Sequence, residues 1–296
     1  MKIRFPLAWL SLATAFGLAL TPAVAQTNDK AVKIVAAENF YGDIAQQLAG
    51  DNAQVTSILS NPDEDPHLFE ASPSVARDLA SAKIVIYNGV DYDPWMAKLV
   101  GANKSPGRRV IVAGELLHKK TGVNPHLWYD PPTAPAVAKA ITAALVAEDP
   151  AHKNDYEQRL QTFTDSLKAI TAKVAGIRKA GSGIPVTATE PVFGYMATAL
   201  GFKMHNERFQ LAVMNNTEPA ASDVAAFEND LKMKRVKLFF YNSQATDSAA
   251  QRLLKIAQDN QIPVVGVTET LPPGKTFQQW MEGELDAVQK ALPSGA

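Results

Sequence analysis

The chain contains no cysteine. Disulfides therefore play no part, thiolate metal sites are excluded, and a lipid anchor attached through a cysteine behind an export signal is not expected. An excess of charge is missing as well, with 29 Lys and Arg against 30 Asp and Glu. Nucleic acid and anionic lipid both want a basic face, so neither is expected as a partner. Beyond the first two dozen residues, no uncharged apolar run approaches the ~20 residues that a membrane span needs.

What the beginning does have is a leader. Lys2 and Arg4 precede a largely apolar run from Leu7 to Leu20, and Ala23-Val24-Ala25 puts small residues where a signal peptidase reads. Residues 1–25 form a secretory signal peptide, cleaved after Ala25 and left out of the fold. Without Lys2 and Arg4, 27 basic residues face 30 acidic ones. The expectation is a periplasmic protein that diffuses freely as a monomer. Its mature length of ~270 residues exceeds what one core comfortably serves, which favours two lobes.

The rest of the chain repeats one pattern around a central helix. Over residues 33–112 the runs KIVAA, AQVTSIL, KIVIYNG and RRVIVA have strand length and alternate with helical stretches such as FYGDIAQQLAG and SPSVARDLASA. In the latter, Ser72 stands at a capping position and Pro73 at the first helical one. Such alternation indicates parallel strands with helical crossovers. The segment DYEQRLQTFTDSLKAITAKVAGIRK carries Tyr156, Leu160, Phe163, Leu167, Ile170 and Val174 at helical spacing, after Pro150 and before AGSG. From residue 184 the pattern returns with IPVTAT, FKMHN, VKLFFYN and IPVVGVT, and TFQQWMEGELDAVQKAL closes as an amphipathic helix. The expected class is α/β, with two lobes that each hold a mainly parallel four-stranded sheet flanked by helices. The organisation reads as an N-terminal lobe at 26–150, a linking helix at 151–181 and a C-terminal lobe at 182–296.

In open α/β sheets, ligands bind beyond the carboxyl ends of the strands. His67 follows AQVTSIL in the loop NPDEDPHLFEAS, and His126 lies in NPHLWYDP after RRVIVA. Glu190 ends IPVTATE and Glu269 ends IPVVGVTE. If the lobes face each other, these four converge. Two neutral imidazoles and two carboxylates around a divalent cation leave no net charge, which permits its desolvation. Imidazole suits zinc, iron, copper and nickel, whereas carboxylate shifts preference toward manganese. At this stage Glu190 and Glu269 serve equally as caps of the following helices. Asp63, Glu64 and Asp65 read as a solvated, cation-attracting rim, and His118, His152 and His205 as solvent-facing.

DPHLFEASPSVARDLASAKIVIYNGVDYDPWMAKL, followed by NPHLWYDPPTAPAVAKAITAALVAEDP and a tyrosine-bearing helix, resembles the cluster A-I metal-binding receptors of zinc/manganese ABC transporters. The resemblance spans nearly the whole mature chain. It implies that His67 and His126, the histidines of D-P-H and N-P-H, bind metal. It implies Glu190, before F-G-Y, as third ligand and Glu269, in TETLP, as the fourth. Zinc-type members typically carry histidine at the third position and a long His-rich loop before N-P-H. Glu190 and the short LLHKKTGV are more similar to manganese-type members. Glu269 stands where an aspartate is usual, and Asn242 where relatives often have a carboxylate.

The resemblance thus implies a binding protein without catalytic cofactor. It would capture Mn2+ or Zn2+, with Fe2+ in its range, and deliver it to a membrane ABC permease with its ATPase. A rigid linking helix implies small closure. The competing reading is an exported metal-dependent hydrolase. A catalytic zinc keeps one position open for water beside a general base, and four protein ligands would close this site.

Overall fold

The computed structural model describes residues 1–2, 31–62, 69–244 and 248–292. The expected leader and the loop 63–68, which carries His67 and the acidic rim, lie outside the described residues. Residues 31–296 form one compact unit.

The first half runs β1 (Val32–Glu38), α1 (Asn39–Ala49), β2 (Ala53–Leu59), α2 (Pro73–Ser81), β3 (Ile84–Tyr87), α3 (Pro94–Ala102), β4 (Arg109–Val112), α4 (Ala113–Leu116) and α5 (Thr133–Glu148). Its four parallel strands lie in the order β2-β1-β3-β4. The apolar runs sit on the central strands β1 and β3 because helices cover both faces of the sheet. Gly42 lets α1 lie against β2, since a Cβ there would fall on Ser57 Oγ. Pro73 takes the first position of α2 as expected, whereas Ser72 makes no capping bond and pairs instead with Ser74 at 2.6 Å.

Pro150 opens a short 3-10 turn, and α6 (Lys153–Gly181) follows. Its 29 residues give a rod of about 44 Å. Tyr156, Phe163, Leu167, Ile170 and Ile177 form its buried stripe, and Leu160 and Val174 pack at its margin. The second half comprises β5 (Pro185–Ala188), α7 (Gly194–Ala199), β6 (Lys203–Met204), α8 (Glu207–Met214), α9 (Ala221–Lys232), β7 (Leu238–Asn242), α10 (Ser248–Asp259), β8 (Val264–Val267) and α11 (Phe277–Ala291). Its parallel sheet, β6-β5-β7-β8, repeats the topology of the first. Two parallel four-stranded sheets flanked by helices and joined through a long helix are the class expected from sequence.

One core runs through both halves. It takes the inner faces of both sheets together with α1, α5, α6 and α11, while smaller clusters lie on the outer faces. An aromatic ladder marks its centre. Phe40 meets Trp128 at 4.7 Å, Tyr129 meets Phe193 at 5.0 Å and Trp280 at 5.5 Å, and Phe193 meets Phe240 at 4.7 Å. The chain closes on α11, whose first turn is fixed by a capping box between Thr276 and Gln279.

Candidate metal centre

Both sheets end on the same crevice. In each, the outer strands run off to opposite sides of the central pair, so the loops after β1 and β3, and after β5 and β7, diverge and leave a gap at the strand ends. The loop after β3 is the most contorted. Gly89, Val90 and Asp91 have φ of 73°, 57° and 62° in succession, a conformation that a β-branched valine adopts only at a cost. Asp93 offsets that cost by accepting the N–H groups of Asn88 at 2.6 Å and Gly89 at 2.8 Å. The turn delivers Tyr92 to the crevice, where its O–H donates to Glu269 Oε2 at 3.2 Å.

His126 is fully buried, and its ring is set by Asn124 two residues earlier. Asn124 Nδ2 donates to Pro191 O at 2.7 Å, which turns Oδ1 toward the histidine. That oxygen accepts the His126 backbone N–H at 3.0 Å and lies 2.6 Å from Nδ1. An amide oxygen only accepts, so Nδ1 carries a proton, and the tautomer directs Nε2 into the crevice. There Nε2 stands 3.3 Å from Glu269 Oε2. Asn124 thereby fixes a first-half ring to the backbone beside Glu190 in the second half.

The opposite wall is acidic. Glu190 and Glu269 leave the ends of β5 and β8, and both are buried. Between them Asn242, the last residue of β7, donates from Nδ2 to Glu269 Oε1 at 2.8 Å and to Glu190 Oε1 at 3.3 Å. Gln244 then supports Glu269, accepting its backbone N–H at 2.6 Å while donating to Pro62 O at 3.0 Å. The Glu190 side chain makes no capping bond to the 3-10 turn that follows it. Of the sequence-derived set, His126 and Glu269 face each other directly, and Glu190 joins Glu269 through Asn242. Among the described residues no three His, Asp or Glu side chains by themselves form an ion-holding group. His67 lies outside the described residues. An imidazole nitrogen and a carboxylate oxygen, as His126 Nε2 and Glu269 Oε2 bring together, are donors of the kind that suits a divalent transition metal.

Behind the crevice lies an acid pair absent from the sequence reading. Glu38, at the end of β1, is buried, and among the described residues no N–H or O–H donor reaches either of its oxygens. Its neighbour is Asp93. Burial first, and then the Asp93 charge, raise the Glu38 pKa well above the ordinary range. Both effects favour the neutral acid at Glu38, placed to donate to Asp93. Tyr41 and Asn88 complete the layer, with Tyr41 O–H on Asn88 Oδ1 at 2.8 Å and Asn88 Nδ2 on Pro125 O at 2.8 Å. The available signal was the run NGVDYD, whose Asn, Gly and Asp mark a turn bearing polar groups.

The remaining histidines are tied to local structure. His152 pairs with Asp149 at 2.6 Å, and His205, only partly exposed, pairs with Asp230 at 3.1 Å. His118 and His152 are exposed as expected, and the expectation fails for His205, which is half-buried beside Asp230.

A family model described as "ZnuA: Zinc-uptake complex component A periplasmic" matches residues 34–291. The iron-binding protein YfeA of Yersinia pestis is 28% identical over 250 residues, covering 79% of this chain and 78% of YfeA. The manganese ABC transporter substrate-binding lipoprotein PsaA of Streptococcus anginosus is 23% identical over 290 residues, with 90% and 91% covered. Among solved structures, the periplasmic metal binding protein from Candidatus Liberibacter asiaticus superposes with a TM-score of 0.73 at 20% identity. That match covers 88% of this chain and 99% of the other, and it is a likeness of fold.

Proposed function

The chain belongs to the family of periplasmic zinc-uptake component A, solute-binding proteins of ABC transporters and not enzymes, and on that premise we propose that it captures one transition-metal ion between its halves and hands it to a membrane permease driven by an ATPase. The ligands are His67, His126, Glu190 and Glu269. The ion is Zn2+ or Mn2+, with Fe2+ in range, in keeping with the metals that the relatives' names carry. We take residues 26–150 and 182–296 as the two metal-binding lobes and 151–181 as the link. The protein works as a monomer in the periplasm after cleavage behind Ala25.

One observation carries the reading. His126 Nε2 and Glu269 Oε2, from opposite halves, lie 3.3 Å apart with the ring proton committed to Asn124. An imidazole nitrogen and a carboxylate oxygen brought this close from opposite halves are placed to share one cation. Donors about 2.1 Å from a zinc ion at a tetrahedral angle stand roughly 3.4 Å from each other. Tyr92 and Asn242 hold the carboxylate at that place from two sides.

Metal-free protein, prepared by dialysis against a chelator, is titrated with Zn2+ and with Mn2+ and the bound ion counted by elemental analysis. About one ion per chain is expected for at least one metal, and His126→Ala removes it. Wild-type protein that binds neither ion would end the proposal, as would a variant that binds as well as wild type.

A further inference from the structure

Tyr129 is not among the proposed ligands, yet it bonds to the chain beside two of them. We infer that it is a positioning residue for ion capture, tying the segment that bears His126 to the segment that bears Glu269, with Glu284 of α11 supplying the hydrogen that lets its hydroxyl keep both partners. This rests on the metal-receptor reading above and uses only its His126–Glu269 pair.

Tyr129 closes the 3-10 turn Leu127–Tyr129, and its backbone N–H donates to His126 O at 3.3 Å. Its side chain is fully buried, and the hydroxyl donates at 2.8 Å to Thr268 O, the carbonyl of the residue before Glu269. One residue thus spans from the backbone of the histidine to the neighbour of the glutamate. The arms that hold His126 Nε2 and Glu269 Oε2 3.3 Å apart meet at it.

The hydroxyl has a second partner at the same distance, Glu284 Oε1 at 2.8 Å. It carries one hydrogen, and a backbone carbonyl only accepts. Both contacts are full hydrogen bonds together only when Glu284 brings a hydrogen of its own. The surroundings suit a neutral acid. Glu284 is buried, Trp280 Nε1–H donates to the same Oε1 at 2.9 Å, and among the described residues Oε2 has no hydrogen-bond partner. Burial lifts the Glu284 pKa to about 8, although Lys275, ahead of α11, pulls the other way. Of the charges on neighbouring elements, Lys173 of α6 pairs with Asp286, Asp43 of α1 accepts the Phe277 N–H, and Glu269 bears on Tyr129. An ionised Glu284 would claim the tyrosine hydrogen, because a bond to a charge is the stronger one. Thr268 O would then face a bare phenol oxygen, and the Glu269 arm would lose this hold.

The test compares wild type, Tyr129→Phe and Glu284→Gln. Affinities for Zn2+ and Mn2+ are measured without oxygen, by competition with a chromophoric chelator, at pH 6.5 and pH 9. Whichever ion wild type binds serves as the probe. At pH 6.5 Tyr129→Phe should bind about tenfold more weakly than wild type, the scale of outer-shell effects on metal affinity. The ratio of the wild-type Kd to the Glu284→Gln Kd cancels the histidine protonation common to both. It should rise about tenfold from pH 6.5 to pH 9, because glutamine gains no charge to draw the hydrogen off Thr268. A merely structural role would lower the melting temperature of the metal-free protein and leave that ratio flat. A flat ratio, which needs no Tyr129 variant to fold, would overturn the inference. So would Tyr129→Phe binding as tightly as wild type, and either result leaves the receptor reading intact. Wild type binding neither ion would remove that reading and this inference together.

Discussion

Tyr92 O–H and Glu269 Oε2 are joined at 3.2 Å across the two halves of the molecule. The tyrosine is delivered by a turn with three successive positive φ values, while the glutamate ends a strand of the other sheet. The bond steadies the very oxygen that faces His126. Tyr92→Phe keeps the ring, which packs edge-on against Trp128 at 4.9 Å, and removes only the donor. Metal affinity should fall about tenfold with the melting temperature of the metal-free protein little changed, as titration calorimetry and scanning calorimetry would show.

Glu269 itself allows a sharper separation of binding from folding. Glu269→Gln removes a buried charge but leaves an oxygen to accept from Asn242 or Tyr92. The metal-free protein should melt no lower than wild type. A metal held at a hundredfold over its Kd stabilises wild type by about 2.7 kcal/mol, and that gain should vanish in the variant. A retained thermal shift on adding Zn2+ or Mn2+ would move the fourth ligand elsewhere.

Stability should also depend on pH through a residue outside the proposed ligand set. Glu284 on α11 is buried, and burial raises its pKa to about 8 from the ordinary 4.5 despite bonds from Tyr129 at 2.8 Å and Trp280 at 2.9 Å. The folded chain holds this proton more tightly than the unfolded one. Its contribution is therefore complete below pH 4.5 and is lost as pH rises toward and through 8. The slope in that window reaches at most about 1.4 kcal/mol per pH unit. Urea unfolding at pH 5 and pH 8.5 should show the loss in wild type and much less of it in Glu284→Gln, where Glu38 leaves a residue of the same sign.

The strands were readable because burial on both faces makes apolar runs, and Pro150 and the 3.6-residue stripe delimited α6. The helix α8 (Glu207–Met214) escaped notice, since only Phe209 and Gln210 of its eight residues are buried and its periodicity is weak. Glu190 and Glu269 stood out as candidates because strand ends are where ligands gather. Their supports did not. Asn124, Asn242 and Gln244 act through neutral amides whose partners lie across the fold, and no local spacing encodes which carboxylate an amide will meet. The Glu38–Asp93 pair was hidden for the same reason: a glutamate at a strand end looks solvated until another strand brings an aspartate beside it.

That pair makes its own prediction. Glu38 acts as a protonated acid donating to Asp93, so an amide can replace it. Glu38→Gln should alter stability by less than about 1 kcal/mol, since its Nε2 supplies the donor. Glu38→Ala leaves Asp93 without that bond in a buried site and should cost about 1–3 kcal/mol. Chemical denaturation of the two variants gives the comparison. Equal losses would mean that the amide does not stand in for the acid.

The halves are fastened at the back of the crevice as well as across it. Asn39 exchanges two hydrogen bonds with the backbone of Leu271, at 2.8 and 2.9 Å. Asp43 accepts the Phe277 N–H at 2.8 Å, and Gln278 bonds both Gln47 at 2.9 Å and Ser166 of α6 at 2.8 Å. With a single core beneath these bonds, a wide hinge rotation would have to break backbone-anchored contacts and part the ring ladder. Two outcomes follow. Calorimetry of the metal-free protein should give one cooperative transition, its calorimetric and van't Hoff enthalpies agreeing. Small-angle scattering of metal-free and metal-loaded protein should superimpose, because capture then proceeds by rearranging side chains and loops at the crevice. Trp280→Ala tests the basis of both. It removes a buried ring that contacts Phe40 of the first half at 5.9 Å and should cost about 3–5 kcal/mol. If the halves lean on each other through this core, the variant lowers the single transition as a whole; if they are independent, it splits the transition and leaves one component at the wild-type temperature.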